Sequence, residues 1–425
     1  RLVLLGVFRV LAVLLLVASR GGGGDAGAGA GGDAGSDADS DADADADSDA
    51  DLDTGTDTGG DPGPLVLEEG PFVIRQFDSG HVAFPDVIRL EDDSLLLAYR
   101  EAAIHMVDST ARIVAQSGTA DGLNWSEHEL LADTPEIDDR DPSLSLLADG
   151  DVALSWFQYR YEPTDDGDLS VHQIFFARSS DGGQSWGEAR MVPPYAMEYP
   201  GAHIDQDRLW VDAGGDPVRV TACSHPIVEA GGELLAQSYG GLAWNSGNPD
   251  APRSRISLFA SDDGGESWSE RPLAHAEAEE TWLQEPALLA LDENEWIVHA
   301  RTSPGSSPSY LGRSWQIRSH DGGQSWGEWE PLDFYGHAPY LAELSDGTLL
   351  VAIRELNEQA TQAAVAVSYS LDDGQSWSDP MHVVSWLPTE LGYPSIAELA
   401  DGRVLIVYYQ GGVSIRGAIY SVQAG

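Results

Sequence analysis

The 425-residue chain contains 71 acidic and 22 basic residues, and its formal net charge is −49 at pH 7. Every basic residue is arginine, and so acidic a surface repels nucleic acid and anionic membranes, which we exclude as partners. The single cysteine, Cys223, excludes an intrachain disulfide in any compartment.

Residues 1–20 have the layout of a bacterial-type export signal. Arg1 and Arg9 precede an apolar run over 11–18, and this run is too short for a good membrane span. The letters VAS followed by Arg20 resemble a lipoprotein cleavage box in which Arg20 stands where the lipid-bearing Cys would be. We therefore expect an exported protein, extracellular, cell-surface or periplasmic, without stable membrane insertion after signal removal.

Residues 21–64 are built mainly from Gly, Ala, Asp, Ser and Thr and contain no aromatic residue. Such a segment cannot bury enough apolar area to fold, so we predict a disordered acidic spacer. Its alternating Asp residues could collect divalent cations loosely, but they lack the Gly turn and final Glu of a calcium-binding loop. A solvated spacer is the favoured interpretation, and it leaves residues 65–425 as the folded domain.

The folded part repeats the pattern Ser-x-Asp-x-Gly-x-x-Trp, which we call the Asp box. The Asp suits the acceptance of turn N–H groups, the Gly a positive φ, and the Trp the anchoring of the turn on a sheet. A degenerate copy, one residue shorter, occupies 119–125. The intact boxes begin at Ser179, Ser261, Ser319 and Ser370.

A second repeat, of the form proline, strand, turn, strand, alternates with the Asp boxes. Its six prolines are separated by 57, 84, 60, 53 and 55 residues, which is the spacing of four-stranded propeller blades. We predict six blades, with residues 71–77 supplying the fourth strand of the last blade. The long step contains an insertion around 187–221, where a seventh, partial blade is the alternative. The prolines are Pro85, Pro142, Pro226, Pro286, Pro339 and Pro394.

These boxes and hairpins resemble the Asp-box (BNR) sialidase-like superfamily over roughly residues 70 to 425. The resemblance implies an all-β, six-bladed β-propeller of the sialidase type with four-stranded blades. It also implies that the boxes lie at the blade periphery, away from the active site. The fold serves non-sialidases as well, so an activity must be argued from the site.

In a propeller the start of each innermost strand lines the central channel, and the hairpin returns there at its end. Polar residues at the strand starts are His81, Arg140, Asp141, His225, Glu285, His337 and Tyr393, and the hairpins end in Arg100, Arg301 and Arg354. An arginine cluster suits bidentate capture of a carboxylate or sulfate. The structural alternatives are an Arg paired with nearby acids, a His bonded to backbone, a Tyr that packs its ring and an Asp that caps a turn.

The resemblance further implies roles for individual residues. Tyr393 looks like the family's nucleophile, Glu285 like the Glu that activates it, and Arg301 like one of three arginines that grip a substrate carboxylate. Two of those three arginines have no counterpart here, since Ala83 occupies one position and residues 358–370, the stretch up to the start of the last box, contain no arginine. Arg100 and Arg354 are the candidate substitutes.

Two carboxylates compete for the role of acid/base catalyst. Asp108, in the loop after the first hairpin, is the best positional candidate, and Asp141 is the rival.

We therefore expect a glycoside hydrolase acting on a glycan with an anionic sugar, whether sialic acid, a uronic acid or a sulfated residue. Two alternatives stay open. One is a glycan-binding module without activity. The other is a polysaccharide lyase in which Tyr393 and a histidine, His105 or His337, abstract a proton beside a uronate carboxylate. No cofactor or metal motif is predicted, and the oligomeric state is left open.

Overall fold

The computed structural model describes residues 64–164, 167–193, 201–206, 210–215, 218, 222–241, 254–276, 281–304, 312–357, 361–388 and 390–423. The expected export signal and nearly all of the expected spacer lie outside these residues. Regular structure in the described part is strand throughout, and no helix there is long and apolar enough to cross a membrane.

The first three blades are antiparallel sheets whose strands follow chain order from the central channel outward. Blade I contains β2 (His81–Arg89), β3 (Leu95–Ala102), β4 (Arg112–Gly118) and β5 (Glu129–Ala132). Blade II contains β6 (Asp138–Leu146), β7 (Val152–Thr164), β8 (Gly167–Ser179) and β9 (Arg190–Met191). Blade III contains β12 (Val228–Ala230), β13 (Glu233–Gly241), β14 (Ser254–Ser261) and β15 (Ser269–Ala276).

The remaining blades have the same order except at the closure of the ring. Blade IV contains β16 (Thr281–Ala290), β17 (Trp296–Pro304), β18 (Arg313–Ser319) and β19 (Glu330–Tyr335). Blade V contains β20 (His337–Glu343), β21 (Leu349–Leu356), β22 (Ala363–Ser370) and β23 (Met381–Leu387). Blade VI contains β24 (Leu391–Glu398), β25 (Val404–Gln410), β26 (Ser414–Val422) and, outermost, β1 (Leu65–Gln76).

This architecture confirms the predicted six-bladed propeller with four-stranded blades. The N-terminal strand pairs with the C-terminal one, with Phe72 opposite Gly417 and Gln76 opposite Ser414. This pairing covers the edge that the last blade would otherwise expose. Within the insertion the described residues form only β9 and a two-stranded ribbon of β10 (His203–Ile204) and β11 (Trp210–Val211), not a seventh four-stranded blade.

Hydrogen bonds link each blade to the next around the ring. Each joins residues near the inner strands of two blades, so the innermost layer is held together directly as well as by apolar packing. From blade I onward they run from Leu144 N to Asp86, Ser145 Oγ to Ile227 O, Leu288 N to Gln237, Ala338 N to Glu285, Ser345 N to Glu398, and Val87 N to Ser395 Oγ.

The four intact Asp boxes share one hydrogen-bond pattern. In the first, Ser179 Oγ donates to Asp181 and accepts from Gly183 N, while Asp181 accepts from both the N–H and the hydroxyl of Ser185. Gly183 has φ of 88°, which favours glycine there. Each box connects the third and fourth strands of a blade, so the boxes lie in outer turns, as the resemblance implied.

We expect Ser319→Ala to lower the free energy of unfolding by about 1–3 kcal/mol, because it leaves the buried Gly323 N–H without its acceptor. Urea denaturation followed by tryptophan fluorescence measures the change. Gln324→Ala in the same turn, which removes only an exposed hydrogen bond, is the control and should be nearly neutral. Equal effects of the two variants would contradict a structural role for the Ser of the box.

Candidate active site

The inner strands of five blades share a backbone irregularity at their start. The residue directly before the proline has a left-handed φ between 46° and 57°, and the ladder to the second strand shifts register there. This conformation is costly for a residue with a side chain and is found where structure or function requires it. The five residues are Phe84, Asp141, Glu285, Ala338 and Tyr393.

Tyr393 and Glu285 meet as a hydrogen-bonded pair. The Tyr393 hydroxyl donates to Glu285 Oε1 at 2.7 Å, and Arg301 Nη1 donates to the same oxygen at 2.9 Å. The second carboxylate oxygen accepts the Ala338 backbone N–H at 2.7 Å. Burial, followed by the charge of Glu285, raises the pKa of Tyr393 well above its usual value, so the phenol keeps its proton at rest. The structure thus brings together the three residues named from the resemblance.

Asp141 lines a small cavity together with Tyr393, but its carboxylate has a different environment from that of Glu285. Its Oδ1 lies 3.7 Å from Arg140 Nε and has no hydrogen-bond partner among the described residues. Burial raises the pKa of Asp141 to about 7, against the opposing effect of Arg140. A carboxyl group that exchanges a proton near neutral pH is suited to acid/base chemistry.

Arg100 does not reach the pocket, which corrects its expected place in an arginine cluster. Its guanidinium is fully buried and pairs with Asp138 through two hydrogen bonds of 2.9 Å. It also donates to the carbonyls of Ile104 and Met106. Arg100 therefore holds the loop that follows β3.

Arg140 of blade II lies against an aromatic ring of blade I. Its guanidinium carbon is 5.2 Å from the centre of the Phe84 ring, and Phe84 in turn packs edge-on against Tyr393 at 4.7 Å. Arg140 also contacts Asp138 at 3.6 Å. Blade II thus contributes a cation against Phe84, the residue that follows Ala83, where the resemblance leads one to expect an arginine.

Both carboxylate oxygens of Asp108 accept hydrogen bonds from its own loop, so Asp108 stabilises the loop conformation. One oxygen accepts the N–H groups of Ala103 and Ile104, and the other accepts both donors of Thr110. Burial by itself would raise the pKa of Asp108, but these hydrogen bonds together outweigh it and lower the pKa. A carboxylate so stabilised holds its proton weakly, so this geometry favours Asp141 over Asp108 as the acid/base group.

Arg354 and His337 face each other across β20 and β21. The Arg354 side chain lies against Gly392, where an added Cβ would be 2.6 Å from Arg354 Cδ. His337 is buried, and burial together with Arg301 and Arg354 holds its pKa well below the usual value. The imidazole is therefore neutral and lies near two guanidinium groups.

His225 is buried and lines the same small cavity as Asp141 and Tyr393. The cavity measures about 20 Å³, enough for about one water molecule, and Tyr340 and Asp86 also line it. Burial lowers the pKa of His225 to about 4, so it is neutral near pH 7. A structural role as a neutral histidine within the core therefore fits His225.

His81 and His105 come together at the rim of the pocket, with a partner that the sequence did not suggest. The two ring nitrogens lie 3.3 Å apart, and both histidines contact Glu390. His105 packs against Phe84 with ring centres 5.8 Å apart. Sequence reasoning missed Glu390, Phe84 and Asp138; of these, only Phe84 carried a signal, its place directly before one of the six prolines.

Comparisons with known proteins agree with this fold. The family model for the BNR repeat-like domain matches residues 113–406. No curated protein matches the chain.

A protein of unknown function from Dyadobacter fermentans aligns with a TM-score of 0.68 at 22% identity, covering 85% of this chain and 100% of its own. NanB sialidase from Streptococcus pneumoniae aligns with a TM-score of 0.59 at 13% identity, covering 83% and 71%. The α-L-arabinanase of Penicillium chrysogenum aligns with a TM-score of 0.58 at 14% identity, covering 84% and 98%. At these identities the likeness establishes the fold alone.

We expect Asp141→Asn to stabilise the protein more at pH 8 than at pH 5. A carboxyl whose pKa is raised on folding opposes folding increasingly as pH rises from its unfolded value of 3.8 through about 7. The amide removes that cost, which is largest above pH 7. Thermal unfolding of both proteins at the two pH values measures it, with Asp333→Asn, an exposed carboxyl, as control. A pH-independent difference would contradict the burial of a titrating Asp141.

Proposed function

The chain belongs to the BNR repeat-like domain family, and on that premise we propose that it is a glycosidase acting next to an anionic sugar. The observation that carries this proposal is the 2.7 Å hydrogen bond from the Tyr393 phenol to Glu285, inside the mouth of the propeller. A phenol that donates to a buried carboxylate has a base ready to receive its proton as it attacks.

In the first half of the proposed reaction, Tyr393 Oη attacks the anomeric carbon while Glu285 takes the phenolic proton. The glycosidic bond breaks, and protonated Asp141 donates its proton to the leaving oxygen. Arg301 donates to the same Glu285 oxygen and so holds the carboxylate in place beside the phenol. The products are a glycosyl-tyrosine and a free alcohol.

In the second half, Asp141, now ionised, takes a proton from water, and the resulting hydroxide equivalent attacks the anomeric carbon. The bond between the sugar and Tyr393 breaks, and Glu285 returns the proton to the phenolate. Both carboxyl groups regain their starting states, so the cycle needs no cofactor. Because Asp141 must alternate between its two states, a pKa of about 7 suits it to both steps.

The charge of the pocket supports an anionic sugar as substrate. Arg301 shares a Glu285 oxygen with Tyr393. Arg301 and Arg354 both act on His337, and Arg140 lies over Phe84, the ring that packs on Tyr393. Arginine suits bidentate binding of a carboxylate or sulfate. A neutral tyrosine avoids placing a carboxylate nucleophile beside such a sugar.

The departure at Ala83 favours a uronic or sulfated sugar over sialic acid, because the third cation comes from a different blade. A glycan substrate outside the cell also accords with the export signal expected in residues 1–20.

A lyase is the second candidate, favoured by the neutral His337 beside Arg301 and Arg354. In that reaction a base removes the proton next to a uronate carboxylate whose charge the arginines offset, and Tyr393 protonates the leaving oxygen. The product contains a new carbon–carbon double bond that absorbs in the near ultraviolet. A hydrolase forms no such product, so the absorbance separates the two reactions.

We expect the full chain to release the aryl group from one member of a panel of sialic acid, uronic acid and sulfated aryl glycosides. Tyr393→Phe should abolish turnover because it removes the nucleophile. Glu285→Gln should lower kcat by about 10²–10⁴-fold because it removes the base. Arg301→Ala should raise KM for the anionic glycoside. Initial rates and a parallel ultraviolet assay on uronate polysaccharides make the measurement.

Tyr335→Phe, in the exposed end of β19, is the control and should retain full activity. If the Tyr393→Phe variant retains turnover, Tyr393 is not the nucleophile. If the wild-type chain cuts nothing in either assay yet binds anionic glycans, the chain is a glycan-binding module rather than an enzyme.

A further inference from the structure

His81, His105 and Glu390 bring three potential metal ligands to one point. One donor atom from each, His81 Nε2, His105 Nδ1 and a carboxylate oxygen, lies within 4.8 Å of both others. We propose that these residues bind a divalent transition metal, with Zn²⁺ the first candidate. This site is separate from the Tyr393–Glu285 pair and independent of the proposed reaction.

The spacing of the donors fits a small metal ion. In tetrahedral sites Zn–N bonds of about 2.0–2.1 Å place neighbouring donors roughly 3.3–3.4 Å apart. Here His81 Nε2 lies 3.3 Å from His105 Nδ1 and 3.2 Å from Glu390 Oε1. His105 and Glu390 are in closer contact. Two imidazole nitrogens pointing at one carboxylate form three corners of a coordination shell.

His81 is positioned by the close approach of the turn between β25 and β26. An added Cβ on Gly412 would lie 2.5 Å from the His81 ring, and Gly412 has φ of 62°. The Gly412 carbonyl accepts the Val82 N–H at 2.6 Å, and Gly411 N donates to the Glu390 carbonyl. The same turn therefore fixes the chain at two of the three ligands.

His105 is positioned by the loop that Arg100 and Asp108 fasten. Asp108 accepts the N–H groups of Ala103 and Ile104, Arg100 binds the Ile104 carbonyl, and Arg140 Nη2 donates to the His105 carbonyl at 3.2 Å. This network explains a buried, fully charged Arg100 that lies outside the pocket. The loop is held so that its histidine faces His81.

The donor set indicates the class of metal. Imidazole nitrogen suits Zn²⁺, Cu²⁺, Ni²⁺ and Fe²⁺, whereas Ca²⁺ and Mg²⁺ prefer all-oxygen sites. Three protein ligands leave at least one coordination position for water or another oxygen ligand. The His105 and Glu390 side chains are 21% and 23% exposed, so solvent can reach that position.

The location gives the site two consequences. Glu390 precedes the first strand of blade VI and His81 begins blade I, so a bound metal would join the first and last blades beside the ring closure. His105 also contacts Phe84, which packs on Tyr393, so the metal would fix the rim of the pocket one aromatic ring away from the phenol. A metal at this place would raise stability and order the rim.

The test is titration of the chelator-treated full chain with Zn²⁺ by calorimetry, in excess Mg²⁺ to occupy the Asp-rich segment. We expect one strong site per chain. Titration with Co²⁺ should give visible absorption bands of low-coordinate geometry. Glu390→Gln and His105→Ala should each weaken Zn²⁺ binding by at least about 100-fold, since loss of a mere supporting group costs about 10- to 100-fold.

The matched control is His382→Ala, which removes a histidine that also contacts a glutamate, Glu355, but has no third ligand among the described residues. It should leave the strong site intact. The proposal is overturned if the wild-type chain binds no Zn²⁺ with one-to-one stoichiometry. It is equally overturned if Glu390→Gln and His105→Ala bind as tightly as the wild type.

Discussion

The candidate site depends on a single backbone constraint, the left-handed conformation of the residue before the proline in five inner strands. In a regular strand, side chains alternate between the two faces of the sheet. The irregularity interrupts that alternation and brings Asp141, Glu285 and Tyr393 to one place. Each such residue costs about 1–3 kcal/mol, so the conformation persists only because the surrounding structure determines it. Here the next residue is a proline with a fixed φ, and the strand beyond it is locked into a four-stranded sheet.

The ring supports this left-handed conformation because hydrogen bonds, as well as apolar packing, join its blades. Glu285 shows the coupling best: its carboxylate belongs to blade IV, yet it accepts hydrogen bonds from Ala338 of blade V and Tyr393 of blade VI. These hydrogen bonds join blades IV, V and VI at one carboxylate, so a displacement of blade V or blade VI relative to blade IV would change the environment of the phenol. The pairing of β1 with β26 completes blade VI, the blade that carries Tyr393, with backbone hydrogen bonds between the two ends of the described chain.

The fold could be read from the sequence because its signals are local and repeated. Six prolines at blade spacing and four Asp boxes each specify a turn whose hydrogen bonds involve residues only two to four apart. The pairing of Tyr393 with Glu285 was also accessible, since both precede one of these prolines. The directions in which long side chains point could not be predicted from the sequence. Arg100 and Arg354 end equivalent hairpins, but only Arg100 has the buried Asp138 within reach, and that contact turns it away from the pocket. Likewise, His81 and Glu390 are 309 residues apart and meet only through ring closure.

The two carboxylates near Tyr393, Glu285 and Asp141, differ in the hydrogen-bond donors that surround them. Glu285 accepts three hydrogen bonds, two of them from side chains that the proposed reaction uses, whereas Asp141 Oδ1 accepts none from the described residues and lies 3.7 Å from the Arg140 guanidinium. Burial without a hydrogen-bond donor to that oxygen drives the Asp141 carboxyl toward its neutral form and raises its pKa to about 7. The proposed reaction uses this difference, with Glu285 as the base for Tyr393 and Asp141 as the acid. The two carboxylates differ because Glu285 lies beside hydrogen-bond donors of other blades and Asp141 Oδ1 does not, among the described residues. The chemical difference between Asp and Glu is not the cause.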